Sequence, residues 1–412
     1  MSQGAIVLRA ERWVDVDAGQ VRKPAVVVVE GERIAAVNPA KPPASARVID
    51  LGDVTLLPGL MDMEINMLLG GPHGGNPRGD VQDDPAFKLL RAIVNCRTTL
   101  LAGFTTVRNL GLFVKTGGYL LDVALGRAID NGWIDGPRIV SAGHAITPTG
   151  GHLDPTMFQR FAPDVLPLRV EEGIANGVPE VRKAVRYQIK YGARVIKISA
   201  SGGVMSHSGL AGAQQYSDEE IAAIVDEAHR AGIKVAAHAH GDAGIRACIR
   251  AGVDCIEHGS LASDETIELM VEHGTFLVPT SYLSEGLKAH LERADPALRA
   301  KAAEVLPKAR VMLGKAIAAG VKIACGTDAP AIPHGENAKE LWAMVDRGMT
   351  PMQALRAATV MSAELISVDD RGRLAPGLLA DIVAVPGDPS VDITTTQDVR
   401  FVMKGGRVYK GA

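Results

Sequence analysis

Between residues 54 and 327 the chain repeats one pattern: a short apolar, β-branched run, then a longer stretch of helical periodicity, with glycine at the joins. The runs cover residues 54–63, 105–110, 138–142, 194–199, 233–238, 253–258, 275–280 and 321–327. Continuous apolar runs of this length predict strands buried on both faces, as in a parallel sheet. The intervening stretches, such as 179–191, 217–231 and 298–319, predict helices, several ending in an Ala-Gly or Tyr-Gly pair suited to a C-cap. Ser217-Asp218-Glu219-Glu220 has the form of a capping box. Eight strand-helix units in a row predict an α/β fold of the (β/α)₈ TIM-barrel type, with an open doubly wound sheet as the alternative.

The two ends follow another rule. Ala25-Val26-Val27-Val28-Val29-Glu30 leads through a hairpin-like Glu30-Gly31-Glu32 turn, and the tail repeats the theme through Asp381-Ile382-Val383-Ala384-Val385 and Phe401-Val402-Met403. Residues 1–56 and 369–412 are therefore expected to form one small β-sandwich domain, leaving 57–368 to the barrel.

Composition narrows the function. A formal charge of 44 − 47 = −3, without runs of one sign, leaves no electrostatic footprint for nucleic acid or an anionic membrane. Aromatic residues, at 4%, are too sparse for a base-stacking platform or a membrane-interface belt. The N-terminus lacks a signal-peptide pattern and no apolar run approaches a bilayer span, so the expected location is the cytoplasm. Cys96, Cys248, Cys255 and Cys325 are scattered, which suggests neither a disulfide framework nor a thiolate zinc site. Glycine, at 45 of 412 residues, exceeds the usual share of about 7% without a collagen period, so it punctuates many short turns.

Chemistry concentrates where predicted strands end, the face on which such barrels carry their active sites. One strand ends in His238-Ala239-His240-Gly241, the next in Glu257-His258-Gly259, and the last in Gly326-Thr327-Asp328. A single strand histidine is ordinarily structural. Imidazoles from adjacent strands meeting a carboxylate on one rim instead make an ordinary Zn²⁺ ligand set. Lys197 interrupts the apolar run Val195-Ile196-Lys197-Ile198. It either reaches solvent along its stem or is desolvated enough to take up CO₂ and serve as a carbamate ligand.

Together with Pro58-Gly59-Leu60-Met61-Asp62, Gly103-Phe104-Thr105-Thr106-Val107-Arg108, Thr149-Gly150-Gly151-His152 and Ser201-Gly202-Gly203-Val204, these motifs resemble the metal-dependent amidohydrolase superfamily over nearly the whole chain. The likeness is to its prolidase-like and ochratoxinase-like branch, which hydrolyses Xaa-Pro dipeptides, C-terminal amino-acid amides and related carboxamides. The resemblance implies that Lys197 is a carbamylated ligand, that His238 and His258 bind metal, and that Asp328 is both ligand and general base. It implies that His240 holds the substrate carbonyl or carboxylate, with His152, His334 and Arg108 as further substrate contacts. Loop solvation for the two histidines, and pairing with a rim acid for Arg108, are the structural alternatives.

One departure stands out. The family's first strand ordinarily ends in His-x-His, whereas here Glu64-Ile65-Asn66 occupies that place, and Asn109 replaces an acidic residue nearby. Glu64 could ligate through its carboxylate and Asn66 through its carbonyl oxygen, although an amide is a poorer zinc donor than imidazole. One zinc is expected, with a second if Glu64 and Asn66 ligate. The Glu-x-Asn variant also resembles amidohydrolases of bottromycin-type antibiotic clusters, which remove a follower segment from a modified peptide. The expected activity is therefore zinc-dependent hydrolysis of an amide or peptide bond. A deaminase, a cyclic-amide hydrolase and a non-catalytic scaffold stay open as alternatives. The expected partner is a peptide or small-molecule amide, with no nucleic acid and no membrane, and a homo-oligomer is left open. His73, in a glycine-rich segment, reads as part of a lid, and His144, His207, His229, His273 and His290 as structural or surface residues.

Overall fold

The computed structural model describes residues 4–70, 82–157, 162, 165–206 and 209–411; His73 and His207 lie outside them. Strands β1 (Ile6–Ala10), β2 (Arg12–Asp15), β3 (Gln20–Arg22), β4 (Ala25–Glu30), β5 (Arg33–Val37), β6 (Arg47–Asp50) and β7 (Val54–Pro58) come first. Next are β8 (Leu60–Ile65), β9 (Phe104–Asn109), β10 (Arg138–Ser141), β11 (Val195–Ser199), β12 (Lys234–Gly241), β13 (Cys255–Leu261) and β14 (Phe276–Val278). The chain closes with β15 (Ile382–Pro386), β16 (Phe401–Lys404) and β17 (Arg407–Lys410).

A six-stranded sheet, β17-β16-β15-β7-β2-β3, interleaves strands from both ends of the chain, and a four-stranded sheet, β5-β4-β1-β6, faces it. Leu8, Val27, Val29, Leu56, Ile382, Phe401 and Met403 form the core between them. Each such side chain, once fully buried, contributes about 1.5–3 kcal/mol. The hairpin between β4 and β5 turns at Gly31, whose φ of +58° suits a residue without Cβ.

Strands β8 to β14 are parallel and form the barrel wall as two arcs, β10-β9-β8 and β11-β12-β13-β14. One seam is closed where Arg194 N donates to Ser141 O (2.7 Å) and Ile146 N to Lys197 O (2.8 Å). The other is closed by residues 321–327: Ala324 N donates to Leu277 O (3.0 Å) and Met63 N to Cys325 O (2.7 Å). The expected eighth strand is thus a hydrogen-bonded stave rather than a regular strand. At its end Gly326 lies so close that a Cβ there would sit 2.8 Å from Glu64 N. The run 54–63, expected as one strand, divides at Gly59 into a sandwich strand and a barrel strand. A Cβ at Gly59 would meet Thr105 Oγ1 at 2.2 Å, so the chain can change sheets there only as glycine.

The predicted helices appear as Gly177–Lys190, Asp218–Arg230 and Pro296–Ala319, and Ser217 with Glu220 forms the capping box. All four cysteines are buried. Among the described residues no helix is long and apolar enough to cross a membrane.

Candidate metal centre and its cavity

A parallel barrel brings the C-terminal ends of its strands to one face, and the strand-end residues converge there. Glu64 and Asn66 at the end of β8, Lys197 on β11, His238 and His240 on β12, His258 on β13, and Asp328 beyond the eighth stave line one cavity of about 200 Å³, joined by His152. His238 and His240 are two residues apart on one strand, so their side chains leave it on the same side. His258 is in register with Ala239, and its positive φ of 70° breaks the alternation of the strand where its imidazole joins those of His238 and His240.

The ligand atoms of His238, His240 and His258 all lie within 4.8 Å of one another. The His240 and His258 rings stack at 4.8 Å, and His152 stacks on His238 at 4.2 Å. His240 Nδ1 is hydrogen-bonded with Ser260 Oγ at 2.8 Å and His258 Nδ1 with Thr280 Oγ1 at 2.7 Å. Such outer partners fix ring orientation and leave Nε2 for a ligand. His238 Nε2 and Glu64 Oε2 are buried without a hydrogen-bond partner. Burial, then the neighbouring imidazoles and Lys197, pushes all three histidines well below the ordinary imidazole range, keeping the neutral form that ligation requires. Orphaned nitrogen, neutral rings and mutual distance all fit a divalent metal.

Asp328 is held in place through its backbone, whose N donates to Glu64 O at 2.7 Å. Burial, and then the Glu64 carboxylate, raises its carboxyl well above the usual range. His258, Thr280 and Asp328 all have positive φ, at 70°, 48° and 58°. Strained backbone of this kind gathers at working sites because the surrounding structure must hold it there. His152 is pushed down to about 3 by burial, and a Cβ on Gly203 would come within 2.3 Å of its ring, so that glycine is required for the ring to sit there.

Three expected contacts differ. Arg108 does not line the cavity: it is 2% exposed, donates from Nε to Met63 O at 2.7 Å, and pairs with Glu257 Oε1 at 2.9 Å. Its guanidinium is committed inside the barrel, so the pairing with a barrel acid is the arrangement formed and a substrate carboxylate is out of its reach. His334 does not line the cavity either; its Nε2 is hydrogen-bonded with Leu69 O at 3.2 Å, bracing the rim. Asn66 reaches the cavity, but its Nδ2 donates to Gly111 O at 2.6 Å and its Oδ1 accepts from Leu68 N at 3.3 Å, so it shapes the backbone.

Other residues enter only with the structure. Asp62 Oδ1 accepts from Glu64 N and Thr327 N (3.2 and 3.1 Å) and its Oδ2 from Asn337 Nδ2 (2.8 Å), tying the first and eighth staves together. Ser260 and Thr280 orient imidazoles. Glu257, beside His258 in the motif that drew attention to that strand, is fully buried; burial raises its carboxyl and the Arg108 guanidinium at 2.9 Å draws it back down. No pattern in the sequence separates these from ordinary strand residues.

The sequence profile of the amidohydrolase family matches residues 55–410. The chain belongs to the amidohydrolase family. This amidohydrolase is 38% identical over 377 residues to ochratoxinase of Aspergillus niger, across 86% of the chain and 76% of that protein. Its fold superposes with a TM-score of 0.91 on a Xaa-Pro dipeptidase solved with methionine in the active site, at 36% identity, covering 99% of this chain and 100% of the other. A prolidase in complex with N-methylphosphonate-L-proline superposes with a TM-score of 0.87 at 34% identity, covering 98% and 99% of the two chains. The amidohydrolase is therefore a hydrolytic enzyme acting on amides, in the prolidase-like and ochratoxinase-like branch that its motifs resemble.

Proposed function

We propose that this amidohydrolase is a zinc-dependent peptidase or amidase that cleaves dipeptides or C-terminal amino-acid amides with apolar side chains. The observation that carries the reading is the cluster of three neutral imidazoles around an orphaned His238 Nε2, open to a cavity whose walls include Leu110, Phe113, Leu153, Val204, Met205 and Leu306. His238 and His258 would hold the metal, with His240 completing the cluster. When bound, the metal supplies a Lewis acid for the scissile carbonyl and lowers the pKa of water.

The chain's own groups do the rest. The apolar walls seat the substrate side chain and exclude water from the reacting bond, strengthening each electrostatic contact inside. Asp328, lining the cavity beside Glu64, takes a proton from the attacking water and returns it to the leaving nitrogen. Ser260 and Thr280 keep two of the imidazoles in line throughout.

The test pairs elemental analysis of the purified chain with hydrolysis of a panel of dipeptides and N-acyl amino acids. Zinc co-purifying with the chain, and turnover favouring apolar over charged side chains, is the expected outcome. A metal-free protein inactive on every amide after zinc is supplied would refute it and leave a scaffold.

A further inference from the structure

The segment that follows β14 serves the site twice. Thr280 orients His258, and Leu283 and Leu287 stand in the cavity wall. The Thr280 hydroxyl donates to Pro279 O at 2.8 Å, so toward His258 it acts as the acceptor. That places the ring proton on Nδ1 and leaves the Nε2 lone pair for a ligand. The arrangement needs Thr280 at a φ of 48°, which a β-branched residue keeps only where its surroundings over-determine it.

The groups that do so lie on one helix, Lys339–Asp346. Glu340, fully buried in its first turn, accepts from Ser281 N at Oε1 (2.7 Å) and from Tyr282 N at Oε2 (2.8 Å), the two amides directly after Thr280. Arg347, at the C-terminal cap, donates from Nη2 to Ser281 O at 3.1 Å and Ser284 Oγ at 3.0 Å, and pairs with Glu285 at 2.7 Å. Glu340 and Arg347 stand about two helical turns apart, so both side chains leave one face of the helix. The helix is itself fixed to the barrel: Asn337, just before its start, donates to Asp62 Oδ2 at 2.8 Å. Neither Glu340 nor Arg347 lines the cavity of the metal centre.

We propose that Glu340 and Arg347 are positioning residues of the metal centre, holding residues 281–285 from outside the cavity so that Thr280 keeps its hydroxyl on His258. The consequence for metal affinity rests on the function proposed above; the consequence for the His258 ring does not. The residue types suit the task. Two carboxylate oxygens meet two adjacent N–H groups, whereas a glutamine would set its NH₂ against one of them. The guanidinium fork reaches a carbonyl, a hydroxyl and a carboxylate at once, which the point charge of a lysine cannot do with the same geometry.

The test uses the full-length chain, first without metal. Nitrogen NMR on protein labelled in its histidines reads the His258 Nδ1–H, assigned by its disappearance in His258→Gln, and its exchange with solvent. Zinc affinity is then measured by chelator competition for Glu340→Gln, Thr280→Val and the double variant. We expect Glu340→Gln to lose the slowly exchanging His258 proton and to lower zinc affinity by roughly 10-fold, as for loss of an outer partner of a ligating histidine. In the Thr280→Val background the same change should add less than about twofold, because the hydroxyl it positions is already gone. Arg347→Lys, which keeps a charge opposite Glu285, should act in the same direction and carries the test if Glu340→Gln does not fold. A slowly exchanging His258 proton retained in the folded variant, or a loss of affinity that adds in full to that of Thr280→Val, would overturn the proposal. A wild-type chain that binds no zinc refutes the function proposed above instead, and the His258 proton still decides the role of Glu340 and Arg347.

Discussion

Thr280 Oγ1 lies 2.7 Å from His258 Nδ1, and both residues sit in the left-handed backbone region. A β-branched residue is seldom found there, so the fold carries strain in order to place one hydroxyl. Removing that hydroxyl in Thr280→Val should lower zinc affinity by roughly 10- to 100-fold, the usual cost of losing an outer partner of a ligating histidine. Competition against a fluorescent chelator measures it, and Thr280→Ser should recover most of the loss. Unchanged affinity in the valine variant would mean that His258 is oriented by its backbone alone.

Asp328→Asn keeps the shape of the residue and removes its ability to accept a proton. Zinc content should be retained while kcat falls by about 10²–10⁴-fold, the range assigned to a positioned general base. Near-normal turnover would take proton transfer away from this residue.

Arg108 and Glu257 form an ion pair 2% and 0% exposed. Arg108→Met leaves a carboxylate buried without its counter-charge and should cost about 3–5 kcal/mol in urea unfolding. The double variant Arg108→Met with Glu257→Met should be the more stable of the two. A loss of substrate affinity with no loss of stability would return Arg108 to the substrate.

Burial lowers the His144 imidazole to about 4 from an ordinary 6.5. Because the folded chain resists protonating it, its contribution is fully present above pH 6.5 and is lost as the pH falls toward 4. From that shift the contribution is about 3 kcal/mol. His144→Gln should therefore show a shallower fall of unfolding free energy between neutral and acid pH, and an identical slope would place the acid sensitivity elsewhere.

The legible part of the fold was whatever depends on local periodicity. Buried parallel strands read as apolar runs, and the Ser217 capping box reads from four adjacent residues. The division at Gly59 was hidden because both halves of residues 54–63 are apolar; only the approach of Thr105, far along the chain, makes the break necessary. The site followed the same rule. Histidines at the ends of neighbouring strands could be placed on one rim from their spacing. Which inward residue pairs with which across the barrel could not, so a substrate carboxylate and a rim acid stay open alike for Arg108 until the structure brings it to Glu257, four strands away on β13. The Glu64–Lys197 pair, joined at 3.0 Å, depends likewise on closure of the barrel, which no local pattern encodes.

The six-stranded sheet also sets an order of events during synthesis. Strand β7 is flanked by β2, made before it, and by β15, made only when nearly all the barrel has left the ribosome. Until then β7 presents an open edge of the kind that recruits foreign strands, directly upstream of the segment bearing Glu64. A nascent chain arrested before residue 382 should therefore hold Glu64 on an unanchored first stave, and chaperone demand should fall sharply once the last strands are released.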